Sequence, residues 1–380
     1  MPVYRDAGFE LGDADTTLQA FQSEKDNEHW PEHFIYSRYR NPTVIEAEEV
    51  LMKIEESAWA LLTQSGMSAI DTALSVFQKA GDKRPWLFFS EIYGGTISYI
   101  DSVLKNRRGI NIRRFYPDAM SYDLNKFEKE IKDLRPSVVF FETISNPMLI
   151  VAPAREIVDL IHSYEARAII DNTFATPYLL KPLEFEADIV IHSATKYLSG
   201  HGNLTAGAIC GNDEQIMKKA IEYRKSVGHM ISPDDAYRLN TQMQSFFLRF
   251  QRQCDNAQVI ASELAVSELI EKVFYPGLEI HFTHSIAKEI FSKKGYGAIV
   301  TFSFAGKNAD QKRQRRDVFI RALSNHIRLV PSLGDSNTIL MPVESIWGDR
   351  YPDPGMIRLS LGIEDTDEIL RKIKVSLAGI

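Results

Sequence analysis

Short hydrophobic runs alternate with amphipathic stretches over roughly residues 45–230. The runs that we predict as strands lie at 58–64, 85–91, 110–116, 137–143, 167–171 and 187–193. Their nearly continuous hydrophobicity indicates strands that are buried on both faces, because a strand with one exposed face alternates apolar and polar residues. Apolar residues at helical spacing in 65–80 and 123–134 predict helices between the strands. The pattern therefore predicts an α/β domain with a mainly parallel sheet.

The pattern changes after a polar, helix-rich stretch at 233–270. Apolar runs at 298–306, 327–333, 338–343 and 356–362 surround a helical stretch at 309–326, and a final helix follows Glu364 and Asp365. Short strands separated unevenly by helices favour a smaller C-terminal α+β domain. The boundary between the two domains is predicted near 230–260.

Composition narrows the class of protein. The chain has 380 residues, 44% of them hydrophobic, and its 44 basic and 51 acidic side chains give a net charge of −7. This charge predicts no general attraction to nucleic acid or anionic membranes, and favours a small-molecule role. Cys210 and Cys254 are the two cysteines, so neither a disulfide framework nor a metal site is expected. The N-terminus shows no signal pattern, and we expect a cytoplasmic protein.

Polar residues suited to one cofactor follow three predicted strands. Glu142 and Asn146 lie in ETISNP, Asp171 opens DNT, and Lys196 lies in HSATK. The carboxyl ends of parallel strands meet at one edge of a sheet, where ligands bind. Pyridoxal phosphate needs a lysine amine for its aldehyde and a carboxylate opposite its pyridine nitrogen. Each residue alone fits an ordinary turn or solvated loop, but their joint occurrence in this order predicts a pyridoxal phosphate site.

The phosphate and ring of that cofactor also have candidate partners. The hydroxyls of Ser193 and Thr195 are suited to bind the phosphate, as are backbone N–H groups at the helix start after Gln64-Ser65-Gly66-Met67. Tyr93, in IYGGT, supplies a flat ring that can stack on the cofactor.

The sequence resembles the pyridoxal-phosphate enzymes of cysteine and methionine metabolism, which include cystathionine synthases and lyases, methionine γ-lyase and the homoserine-ester sulfhydrylases. The matching segments run in family order over nearly the whole chain. They are PVYRDAGFEL (2–11), YSRYRNPT (36–43), QSGMSAI (64–70), IYGGT (92–96), ETISNP (142–147), DNTFATP (171–177), HSATKYLSGHG (192–202), ISPDDAY (231–237), PSLGD (331–335) and MIRLSLGIED (356–365).

The resemblance implies roles for individual residues. Lys196 would bind the cofactor aldehyde and then move protons, Asp171 would pair with the pyridine nitrogen, and Asn146 would touch the phenolic oxygen. Tyr93 would stack on the ring and protonate the leaving group.

The phosphate would be held by Ser65, Gly66, Met67, Ser193 and Thr195. Arg358, assisted by Ser332, would bind the substrate carboxylate. Tyr36 and Arg38 would reach the site of a neighbouring subunit, in a dimer that commonly pairs into a tetramer.

The resemblance also implies the fold and the reaction class. It predicts the fold type I architecture of aspartate aminotransferase, with an N-terminal arm (1–44), a large domain with a seven-stranded type of sheet (45–245) and a C-terminal domain (246–380). The implied function is γ-replacement or γ-elimination on homoserine esters or thioether amino acids, as in transsulfuration. Cystathionine γ- or β-lyase activity stays open, as does a secondary-metabolic enzyme with a non-sulfur nucleophile. An aminotransferase of the same fold and a non-catalytic relative are further alternatives.

The chain departs from the family pattern at three places. Residues 241–246 read TQMQSF, so Thr241 and Gln244 replace an arginine and a lysine of the family. The segment 341–355 is shorter than in the family and carries Trp347 and Tyr351. Gly95 stands where methionine γ-lyases carry cysteine, which argues against that activity. In the other direction, YSRYRNPT, SGMSAI and SLGDSNT favour the homoserine-ester sulfhydrylase branch.

Overall fold

A computed structural model describes residues 2–291, 294–351 and 353–380. Its larger sheet has seven strands in the order β1-β7-β6-β5-β4-β2-β3. The strands are β1 (Trp59–Thr63), β2 (Trp86–Phe89), β3 (Ile112–Phe115), β4 (Val138–Glu142), β5 (Arg167–Asp171), β6 (Ile189–His192) and β7 (Gly207–Gly211). All neighbours pair in parallel except β7, which is antiparallel to both β1 and β6. The predicted α/β class with a mainly parallel sheet is confirmed.

Each of the six predicted N-terminal strands contains an observed strand, but β7 was not predicted. Its sequence GAICG is short and is bounded by glycines, so its hydrophobic pattern is weak. β7 is nevertheless fully buried, because it lies inside the sheet between β1 and β6.

Helices cover the sheet and connect its strands. In chain order they are α1 (Ala14–Ser23), α2 (Pro42–Glu55), α3 (Gly66–Ser75), α4 (Gly94–Tyr99), α5 (Leu124–Leu134), α6 (Ala154–Ser163), α7 (Thr176–Leu179), α8 (Glu214–Val227), α9 (Pro233–Met243), α10 (Phe246–Ala265), α11 (His284–Phe291), α12 (Ala309–Leu323), α13 (Glu344–Trp347) and α14 (Thr366–Leu377). The core beneath them is rich in buried aromatic rings, including Phe88, Phe89, Phe140 and Phe141 of β2 and β4.

No helix of the described residues is long and apolar enough to cross a bilayer.

The second sheet has five strands in the order β10-β11-β12-β9-β8. They are β8 (Ile270–Phe274), β9 (Ile299–Phe304), β10 (Arg328–Leu329), β11 (Ile339–Pro342) and β12 (Met356–Ser360). Their own core joins Phe302 and Phe304 to Phe319 of α12 and Ile373 of α14. Helix α10 packs on both cores, since Phe250 belongs to the first and Ile260 to the second. The division at 245/246 falls between α9 and α10 and stays a prediction.

Candidate active site

A cavity of about 410 Å³ opens at the carboxyl ends of β4, β5 and β6. This volume lies within the usual range for small-molecule sites. Almost all the predicted site residues line it: Ser65, Gly66, Met67, Tyr93, Asn146, Asp171, Ser193, Thr195, Lys196, Ser332 and Arg358. Tyr36 and Arg38 are not among the lining residues. The chain fold therefore brings together residues that are far apart in the sequence.

Lys196 follows β6 and points its amine into this cavity. Its Nζ donates a hydrogen bond to Ser332 Oγ at 2.9 Å. Burial, with a smaller effect of the Arg358 charge, lowers the pKa of Lys196 to about 8. Taken alone, a lysine after a strand suggests a solvated loop, and that interpretation is wrong here. A larger fraction of this amine is neutral near pH 7 than in an ordinary lysine, so it is better able to act as a nucleophile or a base.

The backbone around Lys196 is held from two sides. Gly334 of the PSLGD loop has φ +80°, and a Cβ there would lie 2.8 Å from the Tyr197 nitrogen and 2.9 Å from the Lys196 carbonyl carbon. On the other side, the Arg249 guanidinium of α10 donates to the carbonyls of Tyr197 and Leu198 at 3.0 and 3.1 Å. The loop that carries the lysine is thus fixed by close packing and by hydrogen bonds.

Asp171, the last residue of β5, is buried at the floor of the cavity. Its Oδ1 accepts hydrogen bonds from the Thr173 backbone N–H at 3.0 Å and the Thr173 hydroxyl at 2.6 Å. Within the described parts of the chain, its Oδ2 has no hydrogen-bond donor. Burial raises the pKa of Asp171, and a cation beside Oδ2 would reverse that effect. The carboxylate is therefore suited to a protonated ring nitrogen.

Glu142 lies beside Asp171, since the two residues pair across β4 and β5. Its Oε1 accepts the Tyr93 backbone N–H at 2.6 Å. Burial and then the Asp171 charge raise the pKa of Glu142 well above its usual value. Glu142 therefore fixes the backbone of Tyr93, while the Tyr93 side chain is 51% exposed at the mouth of the cavity.

The start of α3 lines one end of the cavity. Ser65 caps the helix, its Oγ accepting the Ser68 N–H at 3.1 Å. The first backbone N–H groups of a helix have no intrahelical acceptor, so those after Ser65 can face a phosphate. A Cβ at Gly66 would lie 3.0 Å from Ser193 Cβ, so the two segments approach closely. The Thr195 hydroxyl bonds the Ala206 backbone, at 3.1 Å to its carbonyl and 2.9 Å from its N–H.

Arg358 of β12 crosses from the second sheet into the cavity and is buried. Its guanidinium donates to Asn146 Oδ1 at 3.0 Å and to the Ser332 carbonyl at 2.6 Å. Its Nε is buried without a hydrogen-bond partner among the described residues. Burial lowers the pKa of Arg358 to about 10, which leaves it charged at neutral pH. A buried guanidinium with unused donors is suited to a carboxylate ligand.

Sequence reasoning missed several lining residues. They are Ile70, Ile144, Thr173, Phe174, Thr205, Pro331, Leu333 and Met341. Thr173 had a signal, because it lies inside the DNT motif and holds Asp171. The hydrophobic pattern gave no signal for the apolar members, since an apolar residue in a wall of a cavity has the same sequence pattern as one in the core. Several of them nevertheless lie inside the segments that match the family: Ile70, Ile144, Phe174, Pro331 and Leu333.

Tyr36 and Arg38 lie on the N-terminal arm. The Tyr36 side chain is 43% exposed. The Arg38 guanidinium lies 4.9 Å from the Tyr39 ring centroid and donates to the Lys225 carbonyl. Their predicted role concerns the site of a neighbouring subunit, and it stays a prediction.

Pyridoxal phosphate fits the residues of this cavity. Three groups surround one space: a lysine amine with a lowered pKa, a buried carboxylate with one oxygen that has no donor among the described residues, and a helix start with hydroxyl neighbours. These are the groups that its aldehyde, its ring nitrogen and its phosphate each require. Among the described residues, no group of three or more His, Cys, Asp or Glu side chains could hold a metal ion.

Comparison with known proteins gives a consistent set of relatives. A family model described as Cys/Met metabolism PLP-dependent enzyme matches residues 1–378. The chain is 33% identical to cystathionine beta-lyase of Lactococcus lactis subsp. cremoris (strain MG1363), over 91% of this chain and 89% of that protein. It is 32% identical to L-methionine gamma-lyase of Fusobacterium nucleatum subsp. polymorphum, over 100% and 93%. The crystal structure of cystathionine gamma synthase from Xanthomonas oryzae pv. oryzae in complex with cystathionine superposes with a TM-score of 0.86 at 25% identity, covering 99% and 92%.

Proposed function

The chain belongs to the Cys/Met metabolism PLP-dependent enzyme family, and within that family we propose that it catalyses γ-replacement or γ-elimination on a homoserine ester or thioether amino acid. The family is one of pyridoxal-phosphate enzymes acting on sulfur amino acids, so an enzyme with this cofactor is established. The choice of γ-chemistry rests on the motifs YSRYRNPT, SGMSAI and SLGDSNT, which favour the homoserine-ester branch.

One observation supports removal of the Cα proton, the step that γ- and β-chemistry share: Ser332 links the proposed carboxylate-binding residue to the proposed base. Its carbonyl accepts from Arg358 at 2.6 Å, and its hydroxyl accepts from Lys196 at 2.9 Å. An amino acid whose carboxylate binds Arg358 would therefore have its Cα close to the Lys196 amine. Such fixed geometry is what efficient proton transfer requires.

The proposed roles follow from the chemistry of each side chain. When bound, pyridoxal phosphate supplies an electron sink for negative charge that develops at the substrate Cα. Lys196, with its pKa lowered to about 8, removes the Cα proton and then a Cβ proton, whose electrons form the Cβ–Cγ double bond as the group leaves Cγ. The Asp171 carboxylate stabilises the positive charge of a protonated ring nitrogen. Asn146 accepts a hydrogen bond from Arg358 and so orients its guanidinium. Tyr93, at the mouth of the cavity, donates a proton to the group that leaves Cγ.

A C–S lyase is the second candidate. The relatives include proteins named cystathionine beta-lyase and L-methionine gamma-lyase, at 33% and 32% identity. The same Lys196 and Arg358 arrangement would serve β-elimination, in which the leaving group departs from Cβ. The two chemistries differ in product, since γ-elimination gives 2-oxobutyrate and β-elimination of cystathionine gives pyruvate.

The test measures these products with the purified holoenzyme. O-acetylhomoserine and O-succinylhomoserine are supplied with and without cysteine or sulfide, and cystathionine is supplied alone. Release of 2-oxobutyrate that a thiol suppresses, with a thioether amino acid appearing, supports γ-replacement. If cystathionine, supplied without another substrate, yields pyruvate, the protein is a β-lyase. The variant Lys196→Ala is the control, and any product that it still forms has another origin.

We also propose an assembly and a compartment. The exposed Tyr36 and the neighbouring Arg38 lie outside this chain's cavity, which supports their expected contribution to the site of a second subunit in a dimer or tetramer. Light scattering of the wild type and of Arg38→Ala, with the affinity of each for the cofactor, tests this arrangement. Cys210 and Cys254 are both free and buried, which is consistent with the reducing cytoplasm.

A further inference from the structure

The segment 343–351, between β11 and β12, contributes Trp347 to the wall of the cavity. It contains α13, whose last residue, Trp347, lines the cavity beside Arg358. The Arg358 guanidinium carbon lies 5.8 Å from the Trp347 ring centroid, within the range of a cation–π contact. The indole therefore lies next to the group that binds the substrate carboxylate.

Trp347 is held in this position from both sides. Glu344, at the start of α13, accepts from Arg313 Nε at 2.9 Å and from the Gly355 N–H at 3.0 Å. At the other end, the Tyr351 hydroxyl donates to Glu91 Oε2 at 2.6 Å, and the Tyr351 ring meets the Trp347 ring edge-on with centroids 6.3 Å apart. The wall is thus part of the packed structure.

Beside Arg358 the lining has the polar residues Asn146 and Ser332, which accept from its guanidinium, and an apolar group on another side. Met341 pairs directly with Arg358 across β11 and β12, and both line the cavity together with Leu333 and Trp347. A substrate that binds Arg358 through its carboxylate would therefore have apolar groups on this side.

The charges of the cavity allow one anionic group on the substrate. Four of the described lining residues carry ionisable charge: Glu142, Asp171, Lys196 and Arg358. Glu142 is bonded to the Tyr93 N–H, and the proposed function assigns Asp171 and Lys196 to the cofactor. Arg358 is then the cation that this chain's described lining leaves for the substrate, and the Arg38 expected from a neighbouring subunit is assigned to the cofactor phosphate. A second carboxylate would lose water beside the indole without a counter-charge from the described lining, which is costly.

We propose that Trp347 is a specificity-determining residue, and that it selects amino acids with one carboxylate and an uncharged side chain. This inference rests on the proposed function and narrows it. Short acyl esters of homoserine and S-alkyl thioethers satisfy the requirement. Substrates with a charged distal end, such as a succinyl ester or cystathionine, do not.

A matched ligand pair tests the inference by binding alone. Norleucine and 2-aminoadipate have the same number of carbons and no leaving group, but the second replaces the terminal methyl group with a carboxylate. The dissociation constant of each is read from the change in cofactor absorbance of the holoenzyme. We expect norleucine to bind at least about tenfold more tightly to the wild type.

Three variants test the role of the indole. Trp347→Arg adds a cation at the wall and is expected to reduce the preference for norleucine by at least about tenfold. Trp347→Phe keeps an apolar ring and should retain the preference. Tyr116→Ala removes an exposed ring outside the cavity lining and is the control, with no expected change.

Each outcome decides between the hypotheses. Equal or tighter binding of 2-aminoadipate to the wild type would overturn the inference and leave the proposed function standing. A preference that Trp347→Arg does not alter would also overturn it. If neither ligand changes the spectrum of a protein that holds its cofactor, the proposed function itself fails, and the inference fails with it.

Discussion

The Lys196 amine and the Ser332 hydroxyl lie 2.9 Å apart, although the two residues are separated by 136 positions in the chain. Lys196 follows a strand of the large sheet, and Ser332 lies in a loop between strands of the smaller one. The hydrogen bond therefore joins the two sheets at the centre of the cavity. It also fixes the position of the amine that we propose as the base.

Ser332→Ala should lower kcat by about tenfold with little change in KM, because the lysine loses its partner while the backbone carbonyl that binds Arg358 remains. Steady-state kinetics with the proposed substrate measure both constants. Ser336→Ala, in the same loop, removes a hydroxyl that bonds Asp335 and lies outside the cavity lining. It should keep wild-type kinetics. A rise in KM alone for Ser332→Ala would contradict this role.

The adjacent carboxyl groups of Asp171 and Glu142 should respond differently to amide substitution. Asp171→Asn cannot balance a positive charge beside Oδ2, so we expect activity to fall by at least about 100-fold. Glu142→Gln should cost less than about fivefold, because the raised pKa of Glu142 favours its neutral form and glutamine can still accept the Tyr93 N–H. Activity assays of both variants, with absorbance to verify bound cofactor, make the comparison. Equal losses would disprove the distinction.

The uptake of pyridoxal phosphate by apoenzyme should depend on pH through Lys196. The neutral amine is the reactive form, and its pKa is about 8. The uptake rate should therefore rise with pH, with a midpoint near pH 8, and level off above it. Stopped-flow absorbance at a series of pH values measures this profile.

A pair of arginine variants identifies the source of that midpoint. The positive charge of Arg358 contributes to the lowered pKa of Lys196. Arg358→Gln removes the charge and should move the midpoint upward, whereas Arg358→Lys keeps it and should leave the midpoint closer to wild type. A downward shift for Arg358→Gln would be inconsistent with this electrostatic effect.

Tyr93→Phe should distinguish leaving groups. The variant keeps the ring but removes the phenol that is proposed to protonate the departing group. Carboxylate leaving groups need little protonation, while thiolates are more basic and need more. We therefore expect a loss in kcat/KM at least about tenfold larger for a thioether substrate than for O-acetylhomoserine. Equal losses on both would assign Tyr93 a stacking role alone.

The parts of the site that the sequence predicted are those that follow strands directly. Asp171 ends β5 and Lys196 follows β6, so hydrophobic runs and short motifs were sufficient to bring them together. The fold class followed for the same reason, because most of the strands are nearly continuous apolar runs. β3 is the exception, since it reads IRRF, lies at the edge of the sheet and is only partly buried. The short strand β7 escaped prediction, since glycines bound it.

Two of the predicted helices end earlier than expected, although the one predicted over 123–134 ends at Leu134 as expected. Apolar spacing predicted a helix over 65–80, but α3 ends at Ser75. Phe77 continues the apolar pattern beyond the helix, because it packs against the core from a turn. The predicted helix at 309–326 ends at Leu323, before the turn-forming residues Ser324 and Asn325.

The cavity wall around Trp347 could be recognised in the sequence only as a departure from a family. Its contacts join residues that no local pattern relates, such as Tyr351 with Glu91 and Arg313 with Glu344. The first pair depends on how the two sheets pack, and the second on how α12 packs beside α13. Pro352, in the predicted loop at 341–355, lies outside the described residues.

The placement of that wall in one continuous stretch has a consequence for how such enzymes diversify. The residues that we assign to the cofactor precede it in the chain, and Arg358 follows it on a regular strand. The stretch 343–351 can therefore be replaced as a unit while the reacting groups stay in place. Transplanting it into a relative, together with the Glu91 that anchors it, would transfer substrate preference without rebuilding the chemistry.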